Sequence, residues 1–297
     1  MNILYLSQGN YPEYQGDLLF LGLRKILGES VVDAPKINIL YEETFHENPD
    51  SKRQIGWGNG FTVYGLLPSL NVDRSDIPQK IKTHFFDLII YGCSYRTKPL
   101  LSLVLRYYPR NKIVFIDGDD ASTIEKELVF RGMYFKRELE QTTHGVFPIS
   151  FAAPDSIIVQ NIPQHKTRIF SICDPRDRST YIYKDEKSYY QGYQEALFGV
   201  TTKKGGWDAL RHYEILANGC VPDFHNIEHC PLLTCWNLPK MELLIAQKMA
   251  KTCREKQKKP NMNQYTELAN MLLEYTQKNL SDVELAKYVL DTVQRNQ

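Results

Sequence analysis

The chain has 297 residues, long enough for two domains of about 150 each, and its composition, 42% apolar and 24% charged, is that of a globular protein rather than a disordered or collagen-like one. A formal net charge of +1, from 36 basic and 35 acidic residues, argues against stable binding along a nucleic-acid backbone. It leaves room for a nucleic-acid acceptor held by one local patch.

The first segment, Met1–Gln8, lacks a basic leader and a long apolar core, so it reads as a β-strand (Ile3–Ser7) rather than a secretory signal. No run of 18 apolar residues is present, so no membrane span is expected. Asp17–Leu27 has helical apolar spacing and ends at Gly28, and Val31–Asp33 is a second strand. The loop Gln8–Asp17 after the first strand offers Asp17 either as a catalytic base or as the N-cap of the helix.

Residues 42–78 interrupt the alternation with glycines and polar residues, an excursion at a cleft with room for short strands of its own. Its segment Gly56-Trp57-Gly58-Asn59-Gly60-Phe61-Thr62 is either an acceptor-stacking aromatic loop or a packed turn. The pattern resumes with strand Phe86–Tyr91, helix Leu100–Tyr107 and strand Lys112–Ile116. Continuous Ile/Val runs separated by helices indicate βαβ units around a parallel sheet.

At the end of the Lys112–Ile116 strand stands Asp117-Gly118-Asp119-Asp120. Asp117 and Asp119 make a D-x-D pair of hard oxygen ligands suited to Mg²⁺ or Mn²⁺. Asp119 is equally a candidate acceptor base, and Ser122-x-x-Glu125 reads as a capping box for the next helix. Farther on, Tyr134–Leu139 alternates apolar and charged residues, which reads as a solvated strand edge; the segment also resembles the end of the N-terminal domain in GT-B glycosyltransferases, which implies that Lys136 or Arg137 faces donor phosphates across the cleft.

A second alternation follows the loop 148–165: strand Arg168–Ile172, helix Lys187–Leu197, strand Phe198–Thr201, helix Asp208–Asn218, strand Val221–Phe224, then three helices from Leu238. The expected boundaries are therefore 1–150 and 160–297 for two Rossmann-like halves, with the last helices packing back across the gap; the resemblance implies an acceptor side in the first and a donor side in the second. Six scattered cysteines without a C-x-x-C pair suit reduced thiols and a cytoplasmic location. His225, His229, Cys230 and Cys235 do not fall at zinc spacing, and phosphate-loop, hydrolase-elbow and dinucleotide fingerprints are missing.

Residues 198–224 concentrate the chemistry. A strand runs into Lys203-Lys204-Gly205-Gly206, where glycines allow close backbone approach and the lysines supply positive charge. A helix follows at once, with Asp208 as N-cap and free amides at its positive end, an arrangement suited to a diphosphate. Arg211, Glu214 and Asn218 lie on one polar stripe, Leu210, Tyr213 and Ala217 on an apolar one, and Gly219 ends the helix. Spacing alone equally allows Arg211–Glu214 to be a surface ion pair.

The run Arg211-His212-Tyr213-Glu214-Ile215-Leu216-Ala217-Asn218-Gly219-Cys220-Val221-Pro222 resembles the donor-site signature of GT-B glycosyltransferases, especially exostosin-like and related small bacterial and viral members. That resemblance implies two Rossmann-like domains facing a cleft and a UDP- or GDP-sugar donor. It also implies a saccharide or other hydroxyl acceptor, and no required metal. By resemblance Glu214 binds the ribose and Arg211 the diphosphate. Gly206 stands eight positions before Glu214, where many such enzymes carry a further acid, so this sequence departs from the two-acid pattern and Asp208 is the nearest substitute. The rival expectations are a metal-dependent GT-A-type enzyme, a glycosyltransferase acting on modified DNA bases, and a non-catalytic nucleotide-binding module.

Overall fold

A computed structural model describes residues 1–56 and 58–296. Its first half is a six-stranded parallel sheet in the order β2-β1-β3-β4-β5-β6. The strands are β1 (Ile3–Leu6), β2 (Val31–Ala34), β3 (Leu88–Tyr91), β4 (Ile113–Asp117), β5 (Met133–Lys136) and β6 (Val146–Pro148). Each of β1, β3, β4 and β5 is buried along its full length, as a parallel sheet covered on both faces requires. Helices α1 (Tyr14–Leu27), α2 (Ile77–Lys82), α3 (Leu101–Tyr107) and α4 (Lys126–Arg131) form the crossovers.

The second half is a smaller parallel sheet, β7 (Arg168–Phe170), β8 (Ala196–Thr202) and β9 (Val221–His225), in sequential order. Helices α5 (Glu186–Gln194) and α6 (Leu210–Ala217) connect these strands, and α7 (Lys240–Lys256), α8 (Met262–Asn279) and α9 (Asp282–Arg295) follow. The α/β architecture with two parallel sheets agrees with the expectation from alternation. The excursion differs: it folds into short 3₁₀ turns at 38–40, 42–45 and 49–54, and among the described residues its only sheet-like pairing is the Tyr41–Leu67 bridge. Trp57 lies outside the described residues.

The last helix returns to the first half, as expected. Gly22 in the middle of α1 lets the backbone of Asp282 and the side chain of Ala286 approach closely. A Cβ there would meet the Asp282 carbonyl and lie 2.9 Å from Ala286 Cβ. Lys25 donates to the buried Asp282 carboxylate at 2.6 Å. The two segments that pass between the halves also pair: Ala153 N–H donates to Leu280 O (2.8 Å) and Asp282 N–H to Ala153 O (2.9 Å). Gly22→Ala is therefore expected to destabilise by about 1–3 kcal/mol through overpacking against backbone, outweighing the ~1 kcal/mol of helix propensity that alanine adds. A urea midpoint equal to or above wild type would contradict this.

Candidate functional site

In the first sheet the strand order reverses between β1 and β3, and open α/β sheets bind ligands at the carboxyl ends of such strands. Those ends carry Ser7–Gly9, Gly92–Cys93, Asp117–Asp120 and Lys136–Glu138. Helix α1 starts at Tyr14, three residues earlier than its apolar spacing suggests, because Glu13 caps it: the carboxylate accepts from Gly16 N–H at 2.5 Å. Asp17 is not the N-cap. It is buried, accepts from Glu13 N–H (2.9 Å) and Tyr64 OH (3.0 Å), and is held well above the usual carboxylate range by burial and by Glu13.

Glu13 is the titratable group that sequence reasoning missed. Burial pushes its carboxyl up to about 7, against the opposing pull of Gly16 N–H, Arg137 and Arg96. It lines a cavity of about 10 Å³ with Ser7, Gln8, Gly92 and Cys93, enough for about one water. Nothing in the chain's periodicity marks it, because a lone Glu before a helix is commonplace.

The acids after β4 are committed to structure. Asp117 accepts from Lys136 Nζ (2.9 Å), Asp119 N–H (3.0 Å) and Tyr134 OH. Lys136, expected to reach phosphates, is fully buried in this ion pair, and β5 is an interior strand rather than a solvated edge. Asp119 is half-buried and accepts from Asp120 N–H (2.9 Å). The capping box does not form: α4 begins after Glu125, which makes no side-chain cap. Among the described residues no group of three His, Cys, Asp or Glu side chains gathers as a metal site.

Arg137 does reach the other half, but to its backbone. Packed 4.6 Å from the Phe151 ring centroid, it donates to Gly118 O, to Asp208 O and to the carboxylates of Asp120 and Glu138. Glu138 in turn accepts from the amides of Trp207 (2.9 Å) and Asp208 (3.0 Å). Amides of the glycine loop are thus satisfied by a carboxylate from the first sheet. A Cβ on Gly206 would run into that carboxylate and one on Gly205 into Asp120, so both glycines serve the close approach of the halves. Asp208 is not the N-cap of α6 either. Its buried carboxylate accepts from Phe151 N–H (2.8 Å) and Tyr213 OH (2.9 Å), burial raises it to about 6, and Ala209 opens the helix without a side-chain cap.

Helix α6 packs its buried face between the sheets' layers. His212 is stacked on Phe224 at 4.1 Å and tied to Thr201 Oγ1 (2.9 Å) and Trp207 O (2.9 Å), and burial lowers it to about 3. This neutral ring pins the 203–208 loop. Gly219, at φ +61°, ends the helix as expected.

Arg211 and Glu214 do not pair. Arg211 donates to Tyr181 OH (2.7 Å), its Nε is buried without a partner, and it lies 5.3 Å from the Tyr181 ring centroid. Lys204 donates to Pro175 O, and desolvation together with the charges of Arg211 and Arg178 lowers its pKa. Among the described residues none of Arg178, Lys203, Lys204 and Arg211 forms a salt bridge, and Lys203 is exposed over the Trp207 ring at 5.1 Å. Lys204 thus sits among the like charges of Arg211 and Arg178, opposed by Asp174, whose carboxylate is already paired with Arg176, which suits the spot to an anion. Arg178 was not anticipated from sequence, where Asp177 separates it from Arg176.

One turn away, the Glu214 carboxylate is buried and accepts from Tyr189 OH (2.6 Å) and Thr62 Oγ1 (2.6 Å). Burial raises its pKa while those hydroxyls lower it. Glu186, Tyr189 and Tyr190 on α5 complete this polar nest, and none of them was anticipated from sequence.

No family model and no curated protein matches the chain. Among solved structures it is similar to MurG from Acinetobacter baumannii, at 12% identity over 99% of each chain with a TM-score of 0.41. Among the described residues no helix is long and apolar enough to cross a membrane.

Proposed function

We propose that this chain is a glycosyltransferase that moves a sugar from a nucleoside-diphosphate sugar, UDP- or GDP-linked, to a hydroxyl acceptor. One observation carries the reading: Arg211, without a salt bridge among the described residues and close enough to Lys204 to disfavour its charge, stands one helical turn from the buried carboxylate of Glu214. A diphosphate has the charge that these two cations lack, and a ribose has the two hydroxyl donors that a carboxylate accepts. Arg211 meets the diphosphate as its charge grows during bond breaking, which is stabilisation of the leaving group rather than of the ground state. The acceptor hydroxyl loses its proton to a base and attacks the anomeric carbon while the glycosidic bond to the diphosphate breaks. Glu13, at the switch point of the opposite sheet, is the residue we assign as that base.

Titration calorimetry with UDP and GDP tests the donor site directly, and Arg211→Ala should abolish or severely weaken whichever nucleotide binds. No heat from either nucleotide would sink the reading.

The base assignment makes a pH prediction. The working form of Glu13 is the carboxylate and its pKa is about 7. Transfer, as kcat/KM, should therefore rise through pH 7 and level off above it. Glu13→Gln should lose about 10²–10⁴-fold and flatten that rise. A Gln variant with an unchanged pH profile assigns the base elsewhere, Asp119 being next in line. Transfer should also persist in EDTA, since Asp117 is already ligated by Lys136 and Tyr134; loss that Mn²⁺ restores would favour the D-x-D reading.

A further inference from the structure

Among the described residues Thr62 is the only β-branched one with a positive φ. It is β-branched, fully buried and held at φ +76°, a left-handed conformation such residues avoid. What surrounds it explains why it stays. Its N–H donates to Glu186 Oε1 at 2.6 Å, and its hydroxyl donates to Glu214 Oε1 at 2.6 Å and lies 2.8 Å from Tyr190 OH. Lys52 Nζ donates to the other oxygen of Glu186 at 2.9 Å. Two neighbouring donors of one residue are thus presented to two carboxylates of the second half.

The segment that delivers Thr62 is otherwise loosely built. Residues 46–50, 53, 54, 58 and 59 are exposed, and among the described residues of 48–63 the backbone–backbone hydrogen bonds are local ones, such as Ile55 N–H to Lys52 O and Gly60 N–H to Ile55 O; a backbone bond of Gly58 with Tyr14 and the Phe61 ring 5.8 Å from that of Tyr189 add ties to the rest of the fold. Gly56, Asn59, Gly60 and Gly65 all have positive φ, giving the segment turning points on both sides of Thr62. The strain at Thr62 lowers the cost of withdrawing this buried end of a largely exposed, turn-rich segment.

We propose that Glu186, Tyr190 and Glu214 form a clamp for a vicinal diol, and that residues 46–56 and 58–62 belong to a strap whose Thr62 fills the clamp until a diol ligand displaces it. The clamp rests on the assignment of Glu214 to the donor; Glu186, Tyr190 and the strap are added to it. The chemistry is the same for both occupants: two adjacent donors, each making a charge-assisted hydrogen bond to a carboxylate. A ligand whose binding-competent state is only partly populated binds more weakly by that fraction, so loosening the strap raises affinity without adding a contact.

The test uses the full chain with UDP and GDP and their 2′-deoxy counterparts, followed by calorimetry. Thr62→Gly relieves the backbone and removes the hydroxyl, and Lys52→Ala loosens the strap without touching Glu214. Both should bind the ribonucleotide tighter, by roughly tenfold if the strap fills the clamp about nine-tenths of the time. Glu186→Gln should narrow the preference for the ribo- over the deoxynucleotide. Trypsin supplies a readout independent of affinity: cleavage after Arg53 should accelerate when the ribonucleotide is added to wild type, and in Thr62→Gly without nucleotide. Nucleotide binding with no gain in either strap variant, or with ribose and deoxyribose bound alike, overturns the clamp and leaves the donor assignment standing. Failure of UDP and GDP to bind wild type and both variants overturns both.

Discussion

Arg211→Ala should lower kcat by roughly 10²-fold or more, by analogy with removing one donor to a transition-state anion, while the protein stays folded. The surroundings of this side chain make the experiment unusually clean. Arg211 bonds Tyr181 and has a buried Nε without a partner, and among the described residues it has no salt bridge. Removing it breaks no salt bridge; the buried Glu214 carboxylate loses a favourable charge but keeps its bonds from Thr62 and Tyr189, so the variant should fold with a modestly lowered Tm. Glu214→Ala should act on the other kinetic parameter. Its carboxylate faces hydroxyl donors, far from bond breaking, so its loss should raise donor KM much more than it lowers kcat. Steady-state kinetics for both variants, with circular dichroism as the folding control, decides the matter. Near-normal kinetics in both variants would refute the donor site.

Glu138→Ala should have the largest effect on stability. Its carboxylate satisfies Trp207 N–H, Asp208 N–H and Arg137 in a buried junction between the halves. Truncation leaves two amides and a guanidinium short of an acceptor, which by the experience of broken buried ion pairs costs about 3–5 kcal/mol. For a chain of this size that lowers Tm by on the order of 10 °C. Glu138→Gln keeps one acceptor oxygen and should recover part of the loss. A melt of Glu138→Ala within a degree or two of wild type would show the junction to be dispensable.

The strands were legible because a parallel sheet covered on both faces demands unbroken apolar runs, and Ile3–Leu6, Leu88–Tyr91 and Ile113–Asp117 supply them. Helix starts were less legible. Asp17 and Asp208 are good caps by residue type, but their carboxylates are taken by Tyr64 and by Phe151 and Tyr213, partners far away in the chain or on the far side of a turn. The stripe of Arg211 and Glu214 was readable from helical spacing, whereas its surroundings were not. Thr62 and Glu214 stand 152 positions apart, and Glu138 and Asp208 stand 70 apart. No periodicity encodes such meetings; only closure of the two halves brings them about. The same closure changes the sense of Arg137 and Gly206, which read as phosphate-binding by type and serve here to hold the halves together, while Lys136 is spent on Asp117 within the first sheet.

The pairing of Ala153 with Leu280 and Asp282 has a mechanical consequence. A single connecting segment would be a tether, about which two bodies can swivel in any direction. Two connections side by side and hydrogen-bonded make a pivot with one easy axis. With α9 clasped to α1 through Gly22 and Lys25, bending about that axis is the motion that leaves the clasp intact. A small rotation there parts the surfaces far from the pivot by a large distance and those near it hardly at all. Glu138, Arg137 and Thr62 then act as latches on a door whose swing is already decided, and the order in which they release becomes a property of how far each lies from the pivot.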